Sequence, residues 1–316
     1  IDNDPNCKET YEVNNKGSKF ILADVYTLKE KELKKELGLR KKDDNLLFIG
    51  CSPCQFWSII RTDKKKSEQS KSLLKEFNRF VKYFKPGYVV VENVPGIASR
   101  KEESGLSEFV DDLERKGYKV TFKNVNLNDY GVPQTRKRFT LLASRVTKNT
   151  IFPTPTRRKK PSVKDFIGKG NGFSKVEAGH QDKTKFQHTV AALSYKNLKR
   201  IEGTPPNCGD SGWWRTDNEL GKLKYRGDSF RDVYGRMSWD KPAPTITTKF
   251  FSLSNGRFGH PEENRAISIR EGATLQTFPK SYKFITPSIQ QAGKLIGNAV
   301  PPEYAKRIGK AIVNSK

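Results

Sequence analysis

Over its first 145 residues the chain alternates short apolar runs with helical patterns, and no other feature constrains its fold as much. The runs "KFILA" (19–23), "LLFI" (46–49), "YVVV" (88–91), "YKVTF" (118–122) and "FTLLAS" (139–144) are rich in β-branched and aromatic residues, as strands are. Between them, "SLLKEFNRFVKYFK" sets Leu73, Leu74, Phe77, Phe80, Val81 and Phe84 on one helical face. "LSEFVDDLERKGY" does the same with Leu106, Phe109, Val110 and Leu113, and Gly117 suits a helix stop. The alternation predicts a doubly wound α/β sheet, whose ligands bind beyond the carboxyl ends of its strands.

The character changes near "PTPTRRKKP" (153–161), after which Gly, Pro, Asn, Trp and basic residues dominate. We read residues 1–160 as the sheet domain, 161–285 as a smaller, irregular, β-containing domain, and 286–316 as a segment returning to the first. "FFSLSNGRFGH" reads as a hairpin turning at Asn255–Gly256. In the last helix, "EYAKRIGKAIVN", the spacing puts Tyr304, Ile308 and Ile312 on one face. No run approaches the roughly 20 apolar residues a membrane helix needs, and the first residues carry no secretion-signal pattern. Four cysteines in 316 residues argue for a reducing compartment rather than a disulfide scaffold. The excess of 60 Lys and Arg over 35 Asp and Glu, a net charge of +25, favours a polyanionic partner, of which nucleic acid is the commonest.

Directly behind one strand stands "GCSPCQFWS" (50–58). A structural zinc site needs about four ligands, and Cys7, Cys208, His180, His188 and His260 are scattered without ligand spacing, so no metal is expected. A thioredoxin-like Cys51–Cys54 pair would leave most of the chain and its charge unexplained. A single nucleophile remains, and other chemistry gathers at the same edge. Glu92 and Asn93 end the strand at 88–91, Asp24 follows the run at 19–23, and Arg136 and Arg138 stand two apart in "QTRKR", so that extended backbone sends both to one side.

These blocks together resemble the DNA (cytosine-5) methyltransferase family. "GCSPCQFWS" is similar to its Pro-Cys motif, "VENVPGI" to its Glu-Asn-Val motif and "YGVPQTRKRFTLLAS" to its Gln-x-Arg-x-Arg motif, while "ISIREGATLQTFP" and "QAGKLIGNAVPP" resemble its two late motifs, all in family order. The resemblance implies a Rossmann-like, S-adenosylmethionine-dependent methyltransferase fold with a target recognition domain in the second region. It implies Cys54 as a nucleophile adding to cytosine C6, which makes C5 nucleophilic, Glu92 as the group protonating N3, Arg138 at the O2 side of the base, and Arg136 steadying the site and a nearby phosphate. The base must be flipped out of the duplex, and "QFWSIIRTDKKKSEQSK" (55–71) resembles the loop that closes over DNA. Arg215, Lys224, Arg226 and Arg231 are candidates for reading guanine; Trp213 and Trp214 read as core.

For S-adenosylmethionine the resemblance implies Asp2 at the ribose, Asn3 near adenine, Asp24 and Val25 flanking it, Pro53 and Leu73 as wall, and Asn298 and Val300 at the methionine end. A Gly-rich loop should precede the ribose-binding acid by about 20 residues, which places it ahead of Ile1. "DFIGKGNGFSK" (165–175) is no substitute, because no apolar strand feeds it. With Met237 the only methionine, the sequence is expected to be part of a longer chain, or to take that element from another polypeptide. The expectation is therefore a bacterial, cytoplasmic, nucleoid-associated monomer acting on double-stranded DNA beside a cognate restriction endonuclease. The competing readings are a DNA-binding half-enzyme that needs a partner, a thiol oxidoreductase, and a tRNA-directed relative.

Overall fold

The computed structural model describes residues 1–51, 72–208 and 233–315. Among them Lys8–Asn14 forms α1, Glu30–Leu37 α2, Leu47–Gly50 β1, Leu73–Phe84 α3 and Tyr88–Asn93 β2. Leu106–Arg115 is α4, and Lys119–Asn126 and Lys137–Ser144 are β3 and β4. Beyond the sheet lie α5 (Tyr195–Glu202), α6 (Ile269–Leu275), α7 (Ile289–Asn298) and α8 (Pro302–Val313).

The four strands run in the order β1-β2-β4-β3. β1 and β2 are parallel, with Gly50 beside Val91, and β4 is antiparallel to both β2 and β3. The sheet is thus mixed, and helices cover both faces. On one face Val89, Val91, Phe139, Leu141 and Ala143 pack with Leu74 and Val81 of α3 and Phe109 and Leu113 of α4. On the other, Tyr88, Val90 and Leu142 meet Tyr304, Ile308 and Ile312 of α8. Period-2 alternation along buried strands produces this two-sided core. Each such side chain, fully buried, contributes about 1.5–3 kcal/mol.

α3 is apolar on more than one side. Phe80 and Phe84 turn to Leu33 of α2, while Leu74 and Val81 turn to the sheet. Its Phe77 ring lies over Gly50, where an added Cβ would fall 3.0 Å from the ring and press on it, so the end of β1 packs closely under α3.

Two local expectations are corrected. The run at 19–23 makes no strand: Leu22 forms a single parallel bridge with Asp2, through Asp2 N–H to Ile21 O (3.2 Å) and Ala23 N–H to Asp2 O (3.1 Å). One bridge on one side does not sustain a ladder, and Leu22 stays exposed. The hairpin at Asn255–Gly256 is also absent. Leu253–Asn255 is a 3₁₀ turn, and Gly259 bridges Ala266 and Arg236 instead. Phe250, Phe251 and Leu253 are all buried, and adjacent residues cannot share one face of a two-stranded ribbon.

The second region has its own core, including Val163, Met237, Ile246, Phe250, Phe258 and Leu275, joined by Ala292 and Ile296 of α7. With little regular structure, many backbone carbonyls there need other donors, and buried arginines supply them. Arg236 donates to the carbonyls of Thr204 (2.8 Å), Ile201 (2.8 Å), His260 (3.0 Å) and Glu263 (2.7 Å), and to Asn264. Arg265 forks onto Glu271 at 2.7 and 2.9 Å, and the same carboxylate closes a capping box with Ser268 at the start of α6. Burial opposes the charge on Glu271, yet these donors hold its pKa down at about 2.

Candidate active site

Parallel strands bring their carboxyl ends to one edge, and the polar residues gather there. β1 runs out at Gly50 beside Val91, so Cys51 follows on next to Glu92, the penultimate residue of β2. Pro53, Cys54 and the basic loop to residue 71 lie outside the described residues, as do Trp213, Trp214, Arg215, Lys224, Arg226 and Arg231.

Glu92 is 9% exposed. Its Oε1 lies 3.0 Å from Arg138 Nε, off the N–H axis, so the contact is chiefly electrostatic. Burial raises the Glu92 pKa, and the charges of Arg138 and Arg136 only partly oppose it. Arg138 also donates Nη1 to its neighbour's carbonyl, Lys137 O, at 2.8 Å. Cys51 feels the same surroundings: loss of hydration, then the Glu92 charge, push its thiol up to about 12.

Arg136 and Arg138 do not share one task. Arg136 is 2% exposed, with Nη1 on Ile246 O (2.9 Å) and Nη2 on Gly297 O (3.0 Å) and Ala299 O (3.3 Å). The guanidinium is turned inward, where carbonyls at Ile246 and at the end of α7 accept from it. Gln134 works beside it, accepting from Ile246 N–H (2.9 Å) and donating to Leu275 O and Gln276 Oε1, both at 2.8 Å. Gln276 in turn donates to Ile296 O at 2.7 Å. The loop at 297–300 is therefore fixed to the strand that carries Arg138. Gln134 and Gln276 stand inside the recognised blocks but carried no role in the sequence reading. Their buried, carbonyl-directed use has no local signature.

The residues implied for S-adenosylmethionine are drawn together from three directions. The Asp2–Leu22 bridge sets Asp2 close to Asp24. Arg79 of α3 donates to Val25 O at 2.8 Å, and Tyr26 Oη lies 2.9 Å from Ser72 Oγ, which holds the 24–26 turn against the start of α3 at Leu73. Asp4 is joined to α7 by Lys294 Nζ (2.7 Å), one helical turn before Asn298, and this partner holds its pKa down at about 2. Asp2, Asn3, Asp24 and Asn298 are exposed, and Val25, Leu73 and Val300 half-buried. The carboxylates of Asp2 and Asp24 also close short turns, accepting from Asp4 N–H (2.9 Å) and Tyr26 N–H (3.0 Å).

A mixed α/β sheet covered on both faces, with a buried Glu–Arg pair where β2 ends, fits the fold of an S-adenosylmethionine-dependent methyltransferase. The C-5 cytosine-specific DNA methylase family matches residues 1–314, and the chain belongs to that family, whose methyl donor is S-adenosylmethionine. It is 37% identical to the type II methylase M.HgiDII of Herpetosiphon aurantiacus, covering 99% of this chain and 87% of that one. It is 30% identical to the type II methyltransferase M1.HphI of Haemophilus parahaemolyticus, covering 99% and 79% respectively. Among solved structures, a putative DNA modification methyltransferase encoded within an Escherichia coli prophage superposes with a TM-score of 0.75 at 20% identity, covering 99% of this chain and 90% of that one. The Schizosaccharomyces pombe Dnmt2 methyltransferase does so at 0.57 and 15% identity, covering 99% and 88%. These likenesses bear on the fold. Among the described residues no helix is long and apolar enough to cross a membrane.

Proposed function

We propose that this chain methylates C5 of a flipped-out cytosine at a specific site in duplex DNA through a covalent Cys54 adduct, and that it is the protecting enzyme of a restriction–modification system. The names of its relatives support the second part. The single observation that carries the first is the buried Glu92–Arg138 pair, set where β1 leads into the Pro-Cys motif.

In this reading the Cys54 thiolate adds to C6 and the ring becomes an enamine-like carbon nucleophile. Glu92 offsets the developing negative charge by holding a proton at N3, a task its upward-shifted pKa suits. Arg138 reaches the O2 side of the ring while steadying Glu92. When bound, S-adenosylmethionine supplies an electrophilic methyl group. Asp2, Asp24, Val25, Leu73 and Asn298 would hold it, with Pro53, Asn3 and Val300 beside them. Loss of the C5 proton and elimination of Cys54 restore the aromatic ring.

The test is transfer of label from S-adenosylmethionine to mixed-sequence duplex DNA by the full natural chain, with digestion to nucleosides. Label in 5-methylcytosine, absent from Cys54→Ser, is the expected result. DNA binding without label would overturn the catalytic assignment.

A further inference from the structure

Behind Glu92 stands a polar pair that the chemistry above does not use. Thr140 lies directly across from Glu92 in the β2–β4 register, so both side chains project from the same face of the sheet, with Cβ atoms about 5 Å apart. That face is covered by α8, and from it Tyr304 donates its hydroxyl to Thr140 Oγ1 at 2.9 Å. Both residues are fully buried. The Tyr304 ring is held edge-on by Tyr130, centroids 5.1 Å apart at 71°. A buried phenol could be replaced by phenylalanine at no loss to packing, so its one hydrogen bond, to a hydroxyl paired across the strands with Glu92, calls for a role.

We propose that Tyr304 is a positioning residue for Glu92. By donating to Thr140 it fixes that hydroxyl with its own hydrogen free to donate, and the acceptor this assigns is Glu92 across the strand, whose Oε1 is buried with no hydrogen-bond partner of its own. The relay rests on the reading of Glu92 as the proton carrier. The other titratable and charged groups facing Glu92 are Arg138 and Arg136 from the β4 segment and Cys51 from the end of β1; Tyr130 abuts Tyr304. Against the arginines a hydroxyl adds direction rather than charge. Burial holds the Tyr304 phenol neutral, so it remains a donor at any working pH.

The test is single-turnover methyl transfer to duplex DNA across the neutral and alkaline range, comparing the full natural chain with Tyr304→Phe, Thr140→Val, Thr140→Ser and Glu92→Gln. Tyr304→Phe and Thr140→Val are each expected to slow transfer about tenfold, part of what a positioned acid contributes. Both should move the alkaline limb to higher pH, because the carboxylate loses a donor that favours its charged form. Thr140→Ser, which keeps the hydroxyl, should keep the native limb. A slowed rate with an unmoved limb, or a native profile in both variants, overturns the relay. A native profile in Glu92→Gln overturns the reading of Glu92 itself, a separate result from an inactive Glu92→Gln beside a native Tyr304→Phe. If Tyr304→Phe fails to fold, Thr140→Val against Thr140→Ser decides the matter.

Discussion

Arg138 and Glu92 face each other from neighbouring strands, Nε 3.0 Å from Oε1, yet the pair is unbalanced: burial raises the carboxyl pKa although two arginines oppose it. A carboxyl group whose folded pKa lies above its unfolded value of about 4.3 favours folding when protonated. That contribution is present below the unfolded value and lost as pH rises through the folded one. At neutral pH Glu92 therefore costs stability, and Glu92→Gln should raise the melting temperature there by about 1–2 °C, the shift that ~1 kcal/mol makes in a chain of this size. The gap should close as the pH falls toward ~4. Thermal melts followed by circular dichroism read it, and a Gln variant that melts lower at neutral pH would show that the Arg138 pairing outweighs desolvation.

Arg136, just ahead of β4, binds two stretches each more than a hundred residues away from it: Ile246, and the end of α7 at Gly297 and Ala299. Arg136→Met fills the space but supplies no donor, leaving buried carbonyls unpaired. The expected cost is about 2–4 kcal/mol. A urea midpoint shows it directly. An unchanged midpoint would mean that the loop at 297–300 is held by Gln276 alone.

Asp4 and Lys294 tie the turn carrying Asp2 to the helix carrying Asn298, at 2.7 Å. The hydrogen bond from Lys294 depresses the Asp4 pKa to about 2. A depressed folded pKa gives stability that is present above the unfolded value of ~3.9 and lost as pH falls through the folded one. Asp4→Asn should therefore be less stable than the native chain above pH ~4, with the difference narrowing toward pH ~2. The same change should weaken binding of S-adenosylhomocysteine several-fold, measured by calorimetry. Unaltered affinity would separate the tie from the cofactor site.

Local periodicity made the sheet and its covering helices legible. The apolar faces of α3 and α4 and the Tyr304–Ile308–Ile312 stripe of α8 are buried as their spacing implies. Glu92 and Arg138 could be singled out because a charge at the end of an apolar run is unexpected. The second region was illegible for a physical reason: its order comes from arginine side chains capping carbonyls far away in sequence, as Arg236 does between Ile201 and Glu263, and no short-range pattern marks such a bond. The inward turn of Arg136 was hidden for the same cause. In "KFILA" the residues favour a strand, but a ladder depends on neighbours, and Leu22 finds only Asp2.

Two glycines of the C-terminal helices should respond oppositely to alanine. At Gly297 in α7 an added Cβ would fall 2.4 Å from the Thr247 carbonyl carbon and the Thr248 nitrogen, both backbone atoms that cannot swing aside. Gly297→Ala must push α7 away from the 247–248 segment and strain the carbonyl that Arg136 holds, at a cost of about 1–3 kcal/mol or more. At Gly309, in the interior of α8, nothing lies within 4 Å of the same position. There alanine removes only glycine's entropic penalty, and Gly309→Ala should stabilise by about 0.5–1 kcal/mol. Urea midpoints of the two variants test the packing of both helices at once. Equal and small effects would mean that α7 does not sit against the Thr247–Thr248 backbone in solution, and with it would go the fixed position of Asn298.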